Sequence, residues 1–470
     1  MRTAGGDGPE QPGPEQPGPG QPGPGEPGSG QAGDVLRLAV PAFLALVAEP
    51  LFLLADSAII GHLGTAQLAG LGVASATLIT AANIFVFLAY GTTSIVARQV
   101  GAGSERGALT AGVDGTWLAV GLGALTAVAV GLAAEPLCRL FGASGAAIDY
   151  ATTYLRISAL GIPAMLVALA ATGVLRGLQD THTPLVASVV GFTSNIALNL
   201  LFVYGFHWGI AGSAWGTVIA QTGMAAGLAT VLVGHTRRAG ATLHPHPGRV
   251  LRAGLTGIPL LVRTLALRAI LLLTTWVAAG LGDVPLASHQ VATTVWSFLA
   301  FALDALAIAA QALTGKALGA GDVVGARSAT TLMLRWGVWG GAVLGLLLLA
   351  VHRLLPALFT TDPAVRSALA AALVVVALGQ PLAGYVFVVD GVLIGAGDGR
   401  WLAGAMAATL VLYAPLAVWV HLAGDGLLTH GAPYAVTVLW VVFTAFMAIR
   451  AAFFWWRVRG DAWVVTGASR

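Results

Sequence analysis

The sequence predicts an all-α integral membrane protein of twelve transmembrane helices, arranged as two pseudo-symmetric six-helix lobes. Three observations predict it: an apolar composition, twelve apolar runs of spanning length, and an internal repeat that keeps one register. Of 470 residues, 57% are hydrophobic and 9% charged, with a mean hydropathy of +0.83. Soluble domains carry about 25% charged residues, so this much apolar surface requires the bilayer as its solvent.

A spanning helix needs about 20 mostly apolar residues. Runs of that kind, bounded by Gly, Pro or charge, lie near 36–60, 67–97, 112–134, 147–175, 184–205, 210–233, 254–280, 286–314, 330–350, 366–395, 401–422 and 432–456. An even number puts both termini on one side. The connections after spans 2, 4, 6, 8 and 10 carry Arg98, Arg106, Arg176, Arg237, Arg238, Arg249, Arg252, Lys316, Arg327 and Arg400, and the C-terminal segment adds Arg457 and Arg459. The opposite connections carry Arg139, Arg353 and Arg366, with Arg156 a little inside span 4. Excess Arg marks cytoplasmic loops, which predicts a multi-pass protein of the cell membrane with both termini cytoplasmic. The basic excess thus follows topology and gives no reason to expect nucleic acid as a partner.

The repeat has a constant offset of 218 residues. Pro41 matches Pro259, Leu63-Gly64 matches Leu281-Gly282, and Gly101-Ala102-Gly103 matches Gly319-Ala320-Gly321. Leu140-Phe141 matches Leu358-Phe359, Pro163 matches Pro381, Gly173-Val174-Leu175 matches Gly391-Val392-Leu393, and Asp180 matches Asp398. Self-similarity at a fixed period marks a repeated structural unit. Six spans per unit make the repeats parallel, related by an axis along the membrane normal, a design that places substrate between the halves. The expected organisation is a Pro/Gly-rich disordered tail over 1–33, lobes over 34–235 and 253–456, a linker over 236–252 and a C-terminal tail over 457–470. The tail composition cannot bury enough apolar surface to offset its ordering entropy, and it lacks the basic and apolar regions of a signal peptide. The linker contains His244-Pro245-His246-Pro247; with no acidic or Cys ligand beside it, metal binding is not expected.

Ionisable groups at membrane depth are costly and commonly functional. The candidates are Glu49, Asp56, Arg263, Arg268, Asp304 and Asp390; Asp114, Arg156, Arg335 and Arg450 lie nearer span ends, where snorkelling explains them. Glu49 and Asp56, seven apart on span 1, share a face, and Pro41 permits a bend by removing a backbone hydrogen bond. The bland alternative leaves Asp56 at the outer end of its span, near water. Asn195 and Asn199, four apart on span 5, stack on one face and could serve a neighbouring carboxylate or act as interhelical glue. Arg268 is expected to pair with Asp304 or Asp390 in a C-lobe charge network shared with Arg263, as structural support or as a relay. His289-Gln290 reads as packing. No GxxxxGK[ST] loop exists for ATP, and the single cysteine, Cys138, excludes an intramolecular disulfide. By elimination, transport driven by an ion gradient is expected, with no enzymatic activity and no cofactor.

The stretches PAFLALVAEPLFLLADSAIIGHLG from Pro41, RQVGAG from Arg98 and GVLRGLQDTHTPL from Gly173 resemble the MATE (multidrug and toxic compound extrusion) family, in particular its DinF-like branch. LASHQVA from Leu286, KALGAGD from Lys316 and DGVLIGAGD from Asp390 extend the resemblance through the second half. It implies lobes forming a V and export of amphipathic, often cationic organic compounds in exchange for H⁺ or Na⁺. It further implies a cation site at Asp56, with Tyr154, Asn195, Asn199 and Thr217 around it and Pro41 as the bending point of helix 1. Many relatives carry Asp at the position of Asn199, so one carboxylate is missing here, which tilts the expectation towards H⁺. Other branches use acidic residues on helices 7 and 10; Asp390 supplies one, whereas span 7 has Arg263 and Arg268. The alternatives within this fold are a flippase for lipid-linked intermediates, which predicts a basic central cavity, and a narrow-specificity metabolite exporter. A channel or receptor fits a duplicated bundle less well. The expected partners are small organic substrates and membrane lipids, and the expected state is a monomer.

Overall fold

The computed structural model describes residues 29–142 and 145–469, and these are mostly α-helical. In chain order the helices are α1 (Ser29–Gly61), α2 (Thr65–Phe85), α3 (Phe87–Gly101), α4 (Glu105–Leu132), α5 (Ala134–Leu140), α6 (Ala147–Ala159), α7 (Ile162–Gly177) and α8 (His182–Leu200). After a π-helical turn over Leu201–Gly205 come α9 (Gly209–Arg238), α10 (Pro247–Gly280), α11 (Asp283–Gly319), α12 (Val323–Val351), α13 (Pro356–Phe359), α14 (Pro363–Gly395), α15 (Gly399–Leu422), α16 (Gly424–Leu428) and α17 (Ala432–Arg459). Among the described residues, eleven segments are long and apolar enough to cross a membrane, or twelve if the bent pair α6–α7 counts as one span. Every backbone group inside a bilayer must be satisfied within the protein, which is why helix fills most of the described residues.

Of the tail expected over 1–33, residues 1–28 lie outside the described residues, and 29–33 already belong to α1. Helix also consumes much of the expected linker: α9 runs to Arg238 and α10 starts at Pro247. Apolar runs report the hydrocarbon depth, whereas the helices continue past it into the polar zone.

The two halves differ in continuity. The first half breaks at Val86, between α2 and α3, and bends by 51° between α6 and α7. Their repeat mates α11 and α14 are unbroken. Pro163 sits in the first turn of α7, where its missing N–H costs nothing, while its mate Pro381 lies inside α14. The buried core is concentrated in the second half, around α14 and α17.

The pseudo-twofold relation is visible where α3 crosses α11. A Cβ on Gly101 would collide with the carbonyl oxygen of Lys316, and a Cβ on Gly319 with that of Arg98. A Cβ on Gly315 would stand 2.9 Å from that of Ala97. All three pairs obey the 218-residue offset in both directions, which is the signature of an isologous contact. Gly101→Val should therefore force the lobes apart at this end. A cysteine placed at Ser94, which now donates to the carbonyl of Gly395 at 3.3 Å, should then react faster with a thiol reagent by about 10-fold or more, a local opening of about 1.4 kcal/mol; unchanged labelling would refute a rigid crossing.

The same end gathers the chain's C-terminal segment. Arg98 donates to the carbonyls of Ala396 (3.1 Å) and Val465 (2.7 Å), and the amide of Gly467 donates to the carbonyl of Leu318 (3.0 Å). Lys316 reaches Gln179 at 2.8 Å. A cavity of about 300 Å³ opens between the lobes beside this junction, walled by α3, α4, α10 and Ser469.

Candidate functional site

Inside the first lobe a polar cluster forms from four helices. Asp56 on α1 is 3% exposed. Its Oδ1 accepts hydrogen bonds from Asn199 Nδ2 on α8 (2.7 Å) and Ser213 Oγ on α9 (2.7 Å), and its Oδ2 accepts one from the Tyr154 hydroxyl on α6 (3.4 Å). Asn195 Nδ2 donates to Thr217 Oγ1 at 3.1 Å. The spacing of four in both Asn195/Asn199 and Ser213/Thr217 stacks each pair on one helix face. Gly216 lets the faces meet, since a Cβ there would collide with Asn199 Oδ1.

The structure thus gathers Asp56, Tyr154, Asn195, Asn199 and Thr217. It adds Ser213, which sequence reasoning missed; its signal was its place one helical turn before Thr217 on the same face. The side chain of Glu49 lies outside the described residues. Asn195 Oδ1 and Asn199 Oδ1 are buried and find no hydrogen-bond partner among the described residues. Beside Asn195 and Thr217 is a cavity of about 20 Å³, bordered by Phe52 and Phe192, whose rings stack at 5.2 Å. That volume holds about one water. The cluster can therefore take a proton on Asp56 or enclose a small cation among carboxylate, hydroxyl and amide oxygens; nothing the size of a drug fits.

Helix α1 carries Pro41 and Pro50 within it. Pro41 cannot donate to the carbonyl of Arg37, and the Thr181 hydroxyl donates to it instead at 3.4 Å. A side chain from the α7–α8 connection thus holds the weak point of α1. Ser213→Ala should leave the fold intact and weaken coupling rather than abolish it, because Asn199 and Tyr154 still serve Asp56. Loss of one hydrogen bond to a charged acceptor costs about 1.5–3 kcal/mol, so a shift of about 10-fold or more in the ion concentration for half-maximal transport is the expected result, towards lower concentration for H⁺ and higher for Na⁺.

The C-lobe charges pair differently from expectation. Asp390 is held by Arg263, through Nε at 3.2 Å and a second contact from Nη2, and by Arg450 Nη2 at 2.9 Å. Arg268 does not reach it. Arg450, expected to snorkel, is 4% exposed, because α17 packs along α14 and draws the guanidinium inward. Asp304 and Arg176 lie within electrostatic reach of each other, and among the described residues no hydrogen bond joins them. Asp114, also expected to snorkel, accepts from Arg249 Nε at 2.7 Å. His289 contacts Thr275 and packs on Trp440. The repeat places Thr274 and Tyr413 opposite Asp56 and Asn195, and these two hydroxyls hydrogen-bond at 2.6 Å: the mirror site is neutral.

A duplicated bundle of helices long and apolar enough to cross a membrane, with a buried carboxylate held by neutral donors in one lobe, has the architecture of a membrane transporter. The MatE family model matches residues 41–201 and 259–419, two segments set 218 residues apart. The chain belongs to the MatE family, and with it to the multidrug and toxic compound extrusion transporters rather than to the enzymes. It is 31% identical over 445 residues to the chloroplastic Protein DETOXIFICATION 44 of Arabidopsis thaliana, covering 90% of this chain and 82% of that protein. It is 32% identical over 296 residues to the DNA damage-inducible protein F of Escherichia coli, covering 61% and 63%. In fold it matches a MOP superfamily transporter from Pyrococcus furiosus with a TM-score of 0.81 at 22% identity, covering 92% of this chain and 96% of that one.

Proposed function

We propose that the chain is a secondary active antiporter that exports amphipathic organic compounds in exchange for H⁺ or Na⁺, with Asp56 as the coupling group. The observation that carries this reading is the convergence of Asn199, Ser213 and Tyr154 on a buried carboxylate in a helix with two prolines. Ion binding there can alter the shape of α1 and, through Thr181, its hold on the α7–α8 connection. Alternating access then follows from the lobes rocking about the α3–α11 crossing. Both termini are proposed to face the cytoplasm, on the charge distribution of the connections.

The test is dye efflux from proteoliposomes under an imposed pH gradient or an imposed Na⁺ gradient, with ethidium and carboxyfluorescein as cationic and anionic probes. Efflux that follows one gradient supports the antiporter and names its ion. Flux of equal size without any ion gradient would point to a channel and overturn the proposal.

A further inference from the structure

We propose that the segment 460–469 is a latch: anchored on the second lobe, it grips Arg98 of the first and holds the lobes together over the cavity between them. The inference rests on the rocking motion in the antiport reading and adds what restrains it.

The anchorage lies entirely on the second lobe. Trp463 is 1% exposed, and its indole N–H donates to the carbonyl of Val458 on α17 at 3.2 Å. Asp461 is paired with Arg327 on α12, and the carbonyl of Ala462 accepts from Arg457 on α17 at 3.4 Å. The amide of Gly467 donates to the carbonyl of Leu318 on α11 at 3.0 Å. A stretch without regular structure holds one path only where contacts offset its ordering entropy. A buried indole is among the largest apolar contributions one side chain makes, so Trp463 is the main anchor.

The grip on the first lobe is a guanidinium on backbone carbonyls. Arg98 on α3 donates to Val465 at 2.7 Å and to Ser469 at 3.5 Å, besides its 3.1 Å bond to Ala396 in the turn after α14. The 218-residue offset separates what is shared between the halves from what is added. It matches Arg98 with Lys316, and each reaches across the α3–α11 crossing: Arg98 to the turn after α14, Lys316 to Gln179 in the turn after α7 at 2.8 Å. Among the described residues, the bonds to Val465 and Ser469 have no mirror. The corresponding segment after α9 is tied to its own lobe, where the carbonyl of Leu243 accepts from Trp117 on α4 at 3.1 Å.

Ala468 and Ser469 also wall the cavity of about 300 Å³, with Leu88 on the first lobe and Leu260 on the second. Moving the lobes apart at this end draws Arg98 away from carbonyls fixed to the second lobe, and both bonds must break. Hydrogen bonds from a charged donor are the stronger kind, so the latch biases the lobes towards the closed arrangement. Cargo entering the cavity from this end must first displace it.

The experiment measures the distance between spin labels at Arg106→Cys and Val324→Cys by double electron–electron resonance in lipid nanodiscs, with Cys138→Ala in the background. These two positions are repeat mates, both exposed, at the starts of α4 and α12. The full chain should show mainly the shorter distance. A chain ending at Gly460 should raise the ratio of long to short distances by about 10-fold or more. Trp463→Ala, which loosens the anchor without shortening the chain, should shift the ratio the same way and by less. Arg98→Gln should add less to the shortened chain than to the full one, since both changes remove the same two bonds. Distances that lengthen with ethidium but stay unchanged in both the shortened chain and Trp463→Ala overturn the latch and leave the antiporter standing. Lengthening on deletion while neither ion gradient drives dye efflux sinks the antiporter and leaves the latch standing.

Discussion

Replacing Asp56 with Asn should abolish ion-driven transport while leaving the protein folded and inserted. The substitution keeps the size and one acceptor oxygen of the side chain, so the packing of α1 against α8 and α9 survives. What disappears is the group that can carry a proton or bind a cation. Asn also presents an amide donor to the Asn199 amide and to the Ser213 and Tyr154 hydroxyls, which now donate to the carboxylate. Coupled efflux should drop by about 100-fold or more, equivalent to about 2.7 kcal/mol. Proteoliposomes carrying equal amounts of wild type and variant make the comparison. Undiminished efflux from the variant would remove Asp56 from the mechanism.

The second large effect concerns stability. Asp390→Asn leaves Arg263 and Arg450 facing a neutral side chain in an interior where both guanidinium groups are buried. Breaking a buried ion pair by removing one partner costs about 3–5 kcal/mol, and here one carboxylate serves two partners. The variant should show a clearly lower thermal midpoint in detergent and a lower yield from membranes. Adding Arg450→Met should recover part of the loss, since it removes one orphaned charge; such non-additivity is the mark of a direct interaction. A double variant no more stable than Asp390→Asn would show that Arg450 does not depend on Asp390.

Much of the fold was legible because the bilayer sets a length scale and the duplication repeats it. The ends of α3 and α11 at Gly101 and Gly319, and of α7 and α14 at Gly177 and Gly395, keep the register read from the sequence. The breaks were not legible. Val86 has no special chemistry, and Pro163 begins a new helix where Pro381, its repeat mate, lies inside one. In the polar cluster, Asp56, Asn195 and Asn199 stood out as expensive residues in apolar runs. Ser213 did not, since a serine hides easily in a helix that contains several small residues. The partner of Asp390 was misread because pairing depends on how α10 and α17 rotate about α14. Periodicity within one helix carries no information about that rotation.

The neutral Thr274–Tyr413 pair has an electrical consequence. With a carboxylate in one half and hydroxyls at the mirrored position, Asp56 as coupling group means one cation moved per turnover. If that cation enters while an uncharged organic compound leaves, one elementary charge moves inward per cycle. An inside-negative membrane then supplies about 2.3 kcal/mol per charge for each 100 mV. Such a pump would run on voltage even where the ion concentrations on the two sides are equal, and its turnover would register as a current.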